Sequence, residues 1–113
     1  MAIYNTLPVY KTSYSFLLKI FQFTKNFDRE FKYTLGESLK NETIAMISNI
    51  YRANSSLSKG RLLGLARENL EVVRLYLRLL KDLKQINLDR FIFLNEEIES
   101  VSKQLCAWQK VSI

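Results

Sequence analysis

Residues 59–85 read KGRLLGLARENLEVVRLYLRLLKDLKQ. This stretch has no proline, and its last glycine is Gly64, so the run from Leu65 to Gln85 has no breaker inside it. Leucine, arginine and glutamate are strong helix formers, and the apolar positions recur at helical spacing, which predicts one long helix over 59–85. At about 100° per residue, Arg67, Arg74, Arg78 and Lys81 fall in one stripe roughly 60° wide, which Glu71 shares. Leu62, Leu65, Val72, Val73, Leu75, Tyr76, Leu77, Leu79, Leu80 and Leu83 cover most of the remaining circumference. A bundle helix ordinarily shows an apolar face of about 100° or slightly more, and this one is about twice as wide. A helix so apolar needs neighbours on both flanks, one in its own bundle and one in a second subunit. Exposing the second flank would leave a large apolar patch on a monomer. The sequence therefore predicts a homo-oligomer with the basic stripe left outside.

Working outward, Asn54–Ser58 reads as a loop, with Ser56 or Ser58 capping the long helix. Before it, a helix starts at the Asp28 cap and lines one face with Phe31, Leu35, Leu39, Met46 and Ile50, with Gly36 inside it. Glycine there costs about 1 kcal/mol against alanine, which suggests close packing of another backbone. The first helix runs from about Leu7 to Lys25 with two apolar rows: Tyr14, Leu17, Leu18 and Phe21, and Phe16, Ile20, Phe23 and Phe27. Past Asn87-Leu88-Asp89, with Asp89 as cap, Phe91, Leu94, Ile98, Val101, Leu105 and Trp108 alternate steps of three and four, the pattern of a coiled-coil seam. Four helices with short connections give an all-α, antiparallel up-down four-helix bundle. At 113 residues the chain makes one domain, 1–113. The scarcity of turn residues, three glycines and one proline, argues against a β-sandwich or barrel.

Composition narrows function. Histidine is absent and Cys106 is the only cysteine, which removes the commonest general base, any intrachain disulfide and any ordinary zinc site. No glycine-rich phosphate loop occurs, and the acids fall on helix faces. The chain reads as no enzyme, with no catalytic, metal or cofactor residues and no small-molecule substrate. The N-terminus MAIYNTLPVY lacks a signal-peptide pattern, and no apolar run is long enough to cross a bilayer. With its single cysteine, this fits a cytoplasmic protein without a membrane partner. The net charge of +6 favours an acidic partner. By segment the charge is +3 for 1–27, 0 for 28–54, +4 for 55–88 and −1 for 89–113. The long helix is therefore the main basic element, and Lys11, Lys19, Lys25, Arg29 and Lys32 would widen its surface. Stripes repeated by symmetry would bind a polyanion through its phosphates, without reading sequence. The fourteen aromatics fall mostly on apolar faces and read as core. Glu68 and Asn69 are polar positions amid the apolar surface and suit bonds across a helix or subunit interface.

The segment Lys32-Tyr33-Thr34-Leu35-Gly36-Glu37-Ser38-Leu39, the pattern Lys59-Gly60-Arg61-Leu62-Leu63-Gly64-Leu65-Ala66-Arg67 and Trp108 together resemble the accessory variability determinant (Avd) of diversity-generating retroelements. That family is related to four-helix-bundle proteins encoded in intervening sequences of bacterial 23S rRNA genes. The resemblance covers nearly the whole chain. It implies a barrel-shaped pentamer with a basic surface, a reverse transcriptase as partner, and binding of RNA or DNA during error-prone copying of a template RNA. Its matching basic positions are Arg61, Arg67, Arg74 and Arg78, beside which the residues themselves place Lys81. The alternative is an RNA-associated structural protein of the rRNA intervening-sequence type with no polymerase partner. Cys106 and Ala107 stand where the family often has two glycines, which questions the local packing of the fourth helix.

Overall fold

A computed structural model describes residues 7–112. Its elements are α1 (Pro8–Thr24), α2 (Arg29–Lys32), α3 (Leu35–Ser55), α4 (Lys59–Asp82) and α5 (Leu88–Val111). The four long helices run up and down in turn, and α1, α3, α4 and α5 follow one another around the bundle, with α5 closing against α1. Extents of 42 × 23 × 21 Å give a rod one long helix in length. The core is a column of fully buried side chains from all four helices: Phe16 and Ile20, Met46 and Ile50, Leu70 and Leu77, Ile98 and Leu105. The predicted bundle is present, as is the seam of α5, whose Leu94, Ile98, Val101 and Leu105 are all buried. Residues 1–6 and 113, part of the expected domain and the basis of the leader reading, lie outside the described residues.

Several local expectations are corrected. Of the two rows on α1, the one with Phe16, Ile20 and Phe27 faces the core, while Tyr14, Leu18 and Phe21 stay exposed. Ser13 and Thr24 join the buried row because their hydroxyls donate to the carbonyls of Val9 and Phe21, which removes the cost of burying them. Pro8 opens α1 at a position where its missing N–H costs nothing.

The helix expected to run on from Asp28 is broken at Tyr33 and Thr34 into α2 and α3. Gly36 therefore lies in the first turn of α3, buried. A Cβ there would stand 3.3 Å from the Phe31 carbonyl oxygen and 3.5 Å from the Phe27 ring. The close packing expected of this glycine is thus real, and it seats Phe27 beneath the break. The Asp28 carboxylate does not cap α2. It accepts from Gln85 Nε2 at 3.1 Å, while the Asp28 N–H donates to Gln85 Oε1 at 2.7 Å, tying the α1–α2 corner to the α4–α5 loop.

The expected loop is shorter than Asn54–Ser58, because α3 continues through Ser55. Ser58 sits at the N-cap position of α4 without a side-chain bond to the helix, and Ser56 closes α3 instead. On α5 the cap is Asn87, whose side chain accepts from the Arg90 N–H at 2.8 Å, rather than Asp89, whose charge lies in the first turn. The expected extension of α4 to Gln85 fails at Lys84, which takes φ 63°. There the Lys84 N–H donates to Lys81 and the Gln85 N–H to Leu80, the paired bonds of a Schellman ending.

Lysine in the left-handed region carries a penalty that glycine avoids. Lys84→Gly is expected to stabilise the fold by about 0.5–1 kcal/mol. Asn87→Ala is expected to destabilise it by about 1 kcal/mol. Urea denaturation followed by circular dichroism measures both, and a loss of stability in Lys84→Gly would contradict the assigned ending.

Candidate nucleic-acid interface

The environment of α4 differs around its circumference. Its core face holds Leu63, Ala66, Leu70, Val73 and Leu77. The side toward α3 carries Asn69, which accepts from Asn49 Nδ2 at 2.9 Å and donates to Glu42 Oε2 at 3.1 Å. The interhelical bond expected of Asn69 is therefore made, within the protomer, while Glu68 stays exposed. On the side toward α5 stand Arg67, Arg74, Arg78 and Lys81, which the structure does bring onto one flank.

That flank is less free than a bare basic row. Arg74 is paired with Glu71 on its own helix and, at 2.5 Å, with Glu99 of α5. Two carboxylates spend its charge, and the acids of α5 were not visible to a reading of α4 alone. Arg67 Nη1 donates to Gln109 Oε1 at 2.6 Å but meets no acid among the described residues. Lys81 Nζ lies 4.8 Å from the centre of the Phe91 ring and 3.9 Å from Asp82. Arg78 is exposed. Arg61 does not join the row: on the helix projection it lies roughly 130° away, on the outer flank.

Two residues of α5 that the sequence reading did not assign, Lys103 and Lys110, are exposed. The helix lies close to α4 at Gly60 and Gly64, where Gln109 Nε2 donates to the Gly60 carbonyl at 3.0 Å. A Cβ on Gly64 would stand 3.2 Å from that nitrogen, which explains the small residue there. The fourth helix runs unbroken through Cys106 and Ala107, so their presence does not disturb it.

Among the described residues, two groups of large apolar side chains on neighbouring faces stay partly exposed. Leu65, Val72, Leu79 and Leu83 lie within roughly 40° of one another on the outer flank of α4, about 150° from the basic row. Leu65, Leu79 and Leu83 are each 37% exposed, and neighbouring Leu75 is 61% exposed. The second group joins Tyr14, Leu18 and Phe21 of α1 to Ile44 of α3, beside a groove of about 310 Å³. Among the described residues no cluster of three or more potential metal ligands occurs, and no helix is long and apolar enough to cross a membrane.

The pattern of a family described as bAvd-like matches residues 8–112. A crystal structure of a protein with unknown function from the S23 ribosomal protein family, from Bacteroides thetaiotaomicron VPI-5482, superposes with a TM-score of 0.82. The match covers 90% of this chain and 95% of that one at 20% identity, and it shows a shared fold. No curated protein matches the chain.

The pairing of Arg74 yields a direct comparison. Arg74→Gln is expected to lower stability by about 0.5–1 kcal/mol, the modest value of a half-exposed ion pair. Arg78→Gln should change it by less than about 0.5 kcal/mol. Thermal unfolding of the two variants side by side measures the difference, and equal values would show that Glu71 and Glu99 do not hold Arg74.

Proposed function

This chain belongs to the bAvd-like family, and from that premise we propose that it is a non-enzymatic accessory subunit of a diversity-generating retroelement reverse transcriptase. It binds the polymerase and the template RNA or its cDNA through a basic surface of a homopentamer, in the cytoplasm. Arg61, Arg67, Arg74, Arg78 and Lys81 are the first candidates for that surface, with Arg74 the weakest because its carboxylate partners compete with phosphate.

The observation that carries this reading beyond family membership is the pair of unlike apolar surfaces. One lies on the α1/α3 side of the bundle and the other on the outer flank of α4. These sides adjoin, with α3 between them. A two-fold dimer buries the same patch on both copies, whereas two different patches on adjoining sides suit a head-to-tail contact that closes into a ring. Such a ring covers both surfaces at once and leaves the flank shared by α4 and α5 outside. The width of the apolar face on α4 is accounted for without invoking a fatter core. Catalysis has no support in the residues, and the protein contributes binding and positioning.

Light scattering at physiological salt should give a mass about five times the 13.3 kDa protomer. Leu75→Glu with Leu79→Glu should reduce it to one protomer with the helical signal retained, because both side chains are exposed in the protomer. Co-expression with a reverse transcriptase encoded beside it should yield a co-purifying complex. A monomeric wild-type protein would sink the ring. A ring that captures no neighbouring polymerase would favour the rRNA intervening-sequence type of protein instead.

A further inference from the structure

Antiparallel packing decides which charges share an end of the rod, and the pairings above fix the register. Asn69 of α4 lies between Glu42 and Asn49 of α3. Arg67 meets Gln109 and Arg74 meets Glu99 of α5. Lys19 of α1 meets Glu97, and Tyr10 and Tyr51 line one groove. A plane across the bundle at Asn69 therefore crosses α3 near Met46, α5 near Lys103 and α1 a few residues before Leu17.

The half holding the α3–α4 loop carries Lys11, Arg52, Lys59, Arg61, Arg67 and Lys110 against one acid, Glu68, and Lys103 lies at the dividing plane. The other half carries ten cations and ten acids. Of the net charge of +6, five thus sit in one half of the rod and one at its boundary, and the other half is neutral. The ion pairs divide the same way. Lys19–Glu97, Lys40–Glu37, Arg74 with Glu71 and Glu99, and Lys81–Asp82 all lie in the neutral half. Among the described residues the basic half has no ion pair, and Arg52, Arg61, Lys103 and Lys110 are exposed. Helix dipoles do not offset this field, because two N-termini and two C-termini meet at each end.

We propose that the polyanion contact surface is this basic end, formed by the α3–α4 loop and the adjoining turns of α4 and α5, and that its ligand is the phosphate backbone of RNA. The proposal rests on the nucleic-acid role proposed above and places it at an end of the bundle, where the basic row of α4 would place it along a side. Of that row, only Arg67 belongs to the basic end. Cations without carboxylate neighbours have no internal competitor for phosphate, so each contact releases a counterion and steepens the salt dependence. In a ring built from contacts along the sides of the rods, all protomers point the same way. Their basic ends then form one rim, and the opposite rim is neutral.

The test compares two charge-matched variants of the full chain. The first replaces Arg52, Arg61, Lys103 and Lys110 with glutamine. The second replaces Lys25, Arg29, Lys84 and Arg90, four exposed cations of the neutral half. Each variant loses four positive charges, so an effect of net charge alone is common to both. Circular dichroism and light scattering establish that each keeps the wild-type helicity and mass. A synthetic RNA hairpin is titrated by fluorescence anisotropy over a series of KCl concentrations. The first variant should lose at least about tenfold in affinity, and its log–log salt slope should flatten by about three. The second should stay within about threefold of wild type. Equal losses in the two variants would overturn the proposal, as would a larger loss in the second. A wild-type protein that binds no RNA would remove the nucleic-acid role and this proposal with it. Tight wild-type binding left intact in the first variant would remove the basic end alone. Retained RNA affinity with lost capture of the polymerase would assign that end to a protein partner and overturn the phosphate assignment.

Discussion

A helix can turn only one face to the core of a four-helix bundle, yet α4 is apolar on two. Leu63, Leu70, Val73, Leu77 and Leu80 fill the inner face completely. Leu65, Leu75, Leu79 and Leu83 are then left outside, because α3 and α5 already occupy the two flanks. The rest of the arrangement answers to this constraint. The inner face packs into the bundle, and the outer one stays partly exposed. The exposed aromatic row of α1 is the same problem on the neighbouring side. Burial of apolar area, at roughly 25 cal/mol per Å², is the one force large enough to act on both.

Most of the fold was legible because it rests on periodicity within single helices. The seam of α5 and the long apolar run of α4 needed no knowledge of any partner. The errors arise where two segments meet. Both rows of α1 are equally apolar, and only the positions of α3 and α5 decide that Phe16 and Ile20 face inward while Tyr14 and Leu18 do not. The break at Tyr33–Thr34 sits beside the close approach of Gly36 to Phe27, a contact between residues in different turns of the chain. At the start of α5, the sequence pattern puts Asn87 in the turn and Asp89 at the cap. The backbone leaves the first outside the helix to accept from Arg90, and the second becomes a first-turn charge.

The candidate site shows the same division more sharply. A helix projection placed Arg67, Arg74, Arg78 and Lys81 together, and they do share a flank. It could not show that Glu99 of α5 reaches Arg74, because that pairing depends on the register of two antiparallel helices. The family resemblance added Arg61 to the others, although the projection puts it on the outer, apolar flank. Segment sums assigned the basic charge to the third long helix as a whole. Once folded, that helix divides between the two halves of the rod, and its charges count with those of whichever turns of α3 and α5 lie beside them.

The symmetry of an assembly then decides what an end charge is worth. A two-fold axis perpendicular to the rods would point the basic ends in opposite directions, and no single surface would gain. A cyclic ring keeps the rods parallel, so each added copy extends the same rim. An extended polyanion meeting that rim makes its second contact at a high effective concentration, because the first already holds it close. Individually weak phosphate contacts become collectively strong without a deep pocket in any protomer. The paired carboxylates of the opposite half have a complementary effect, since they leave that rim with no net attraction to compete for the same strand. In the proposed ring, apolar side faces and an unpaired basic end are thus parts of one arrangement: the first would set the protomers parallel, and parallel protomers would make the second additive.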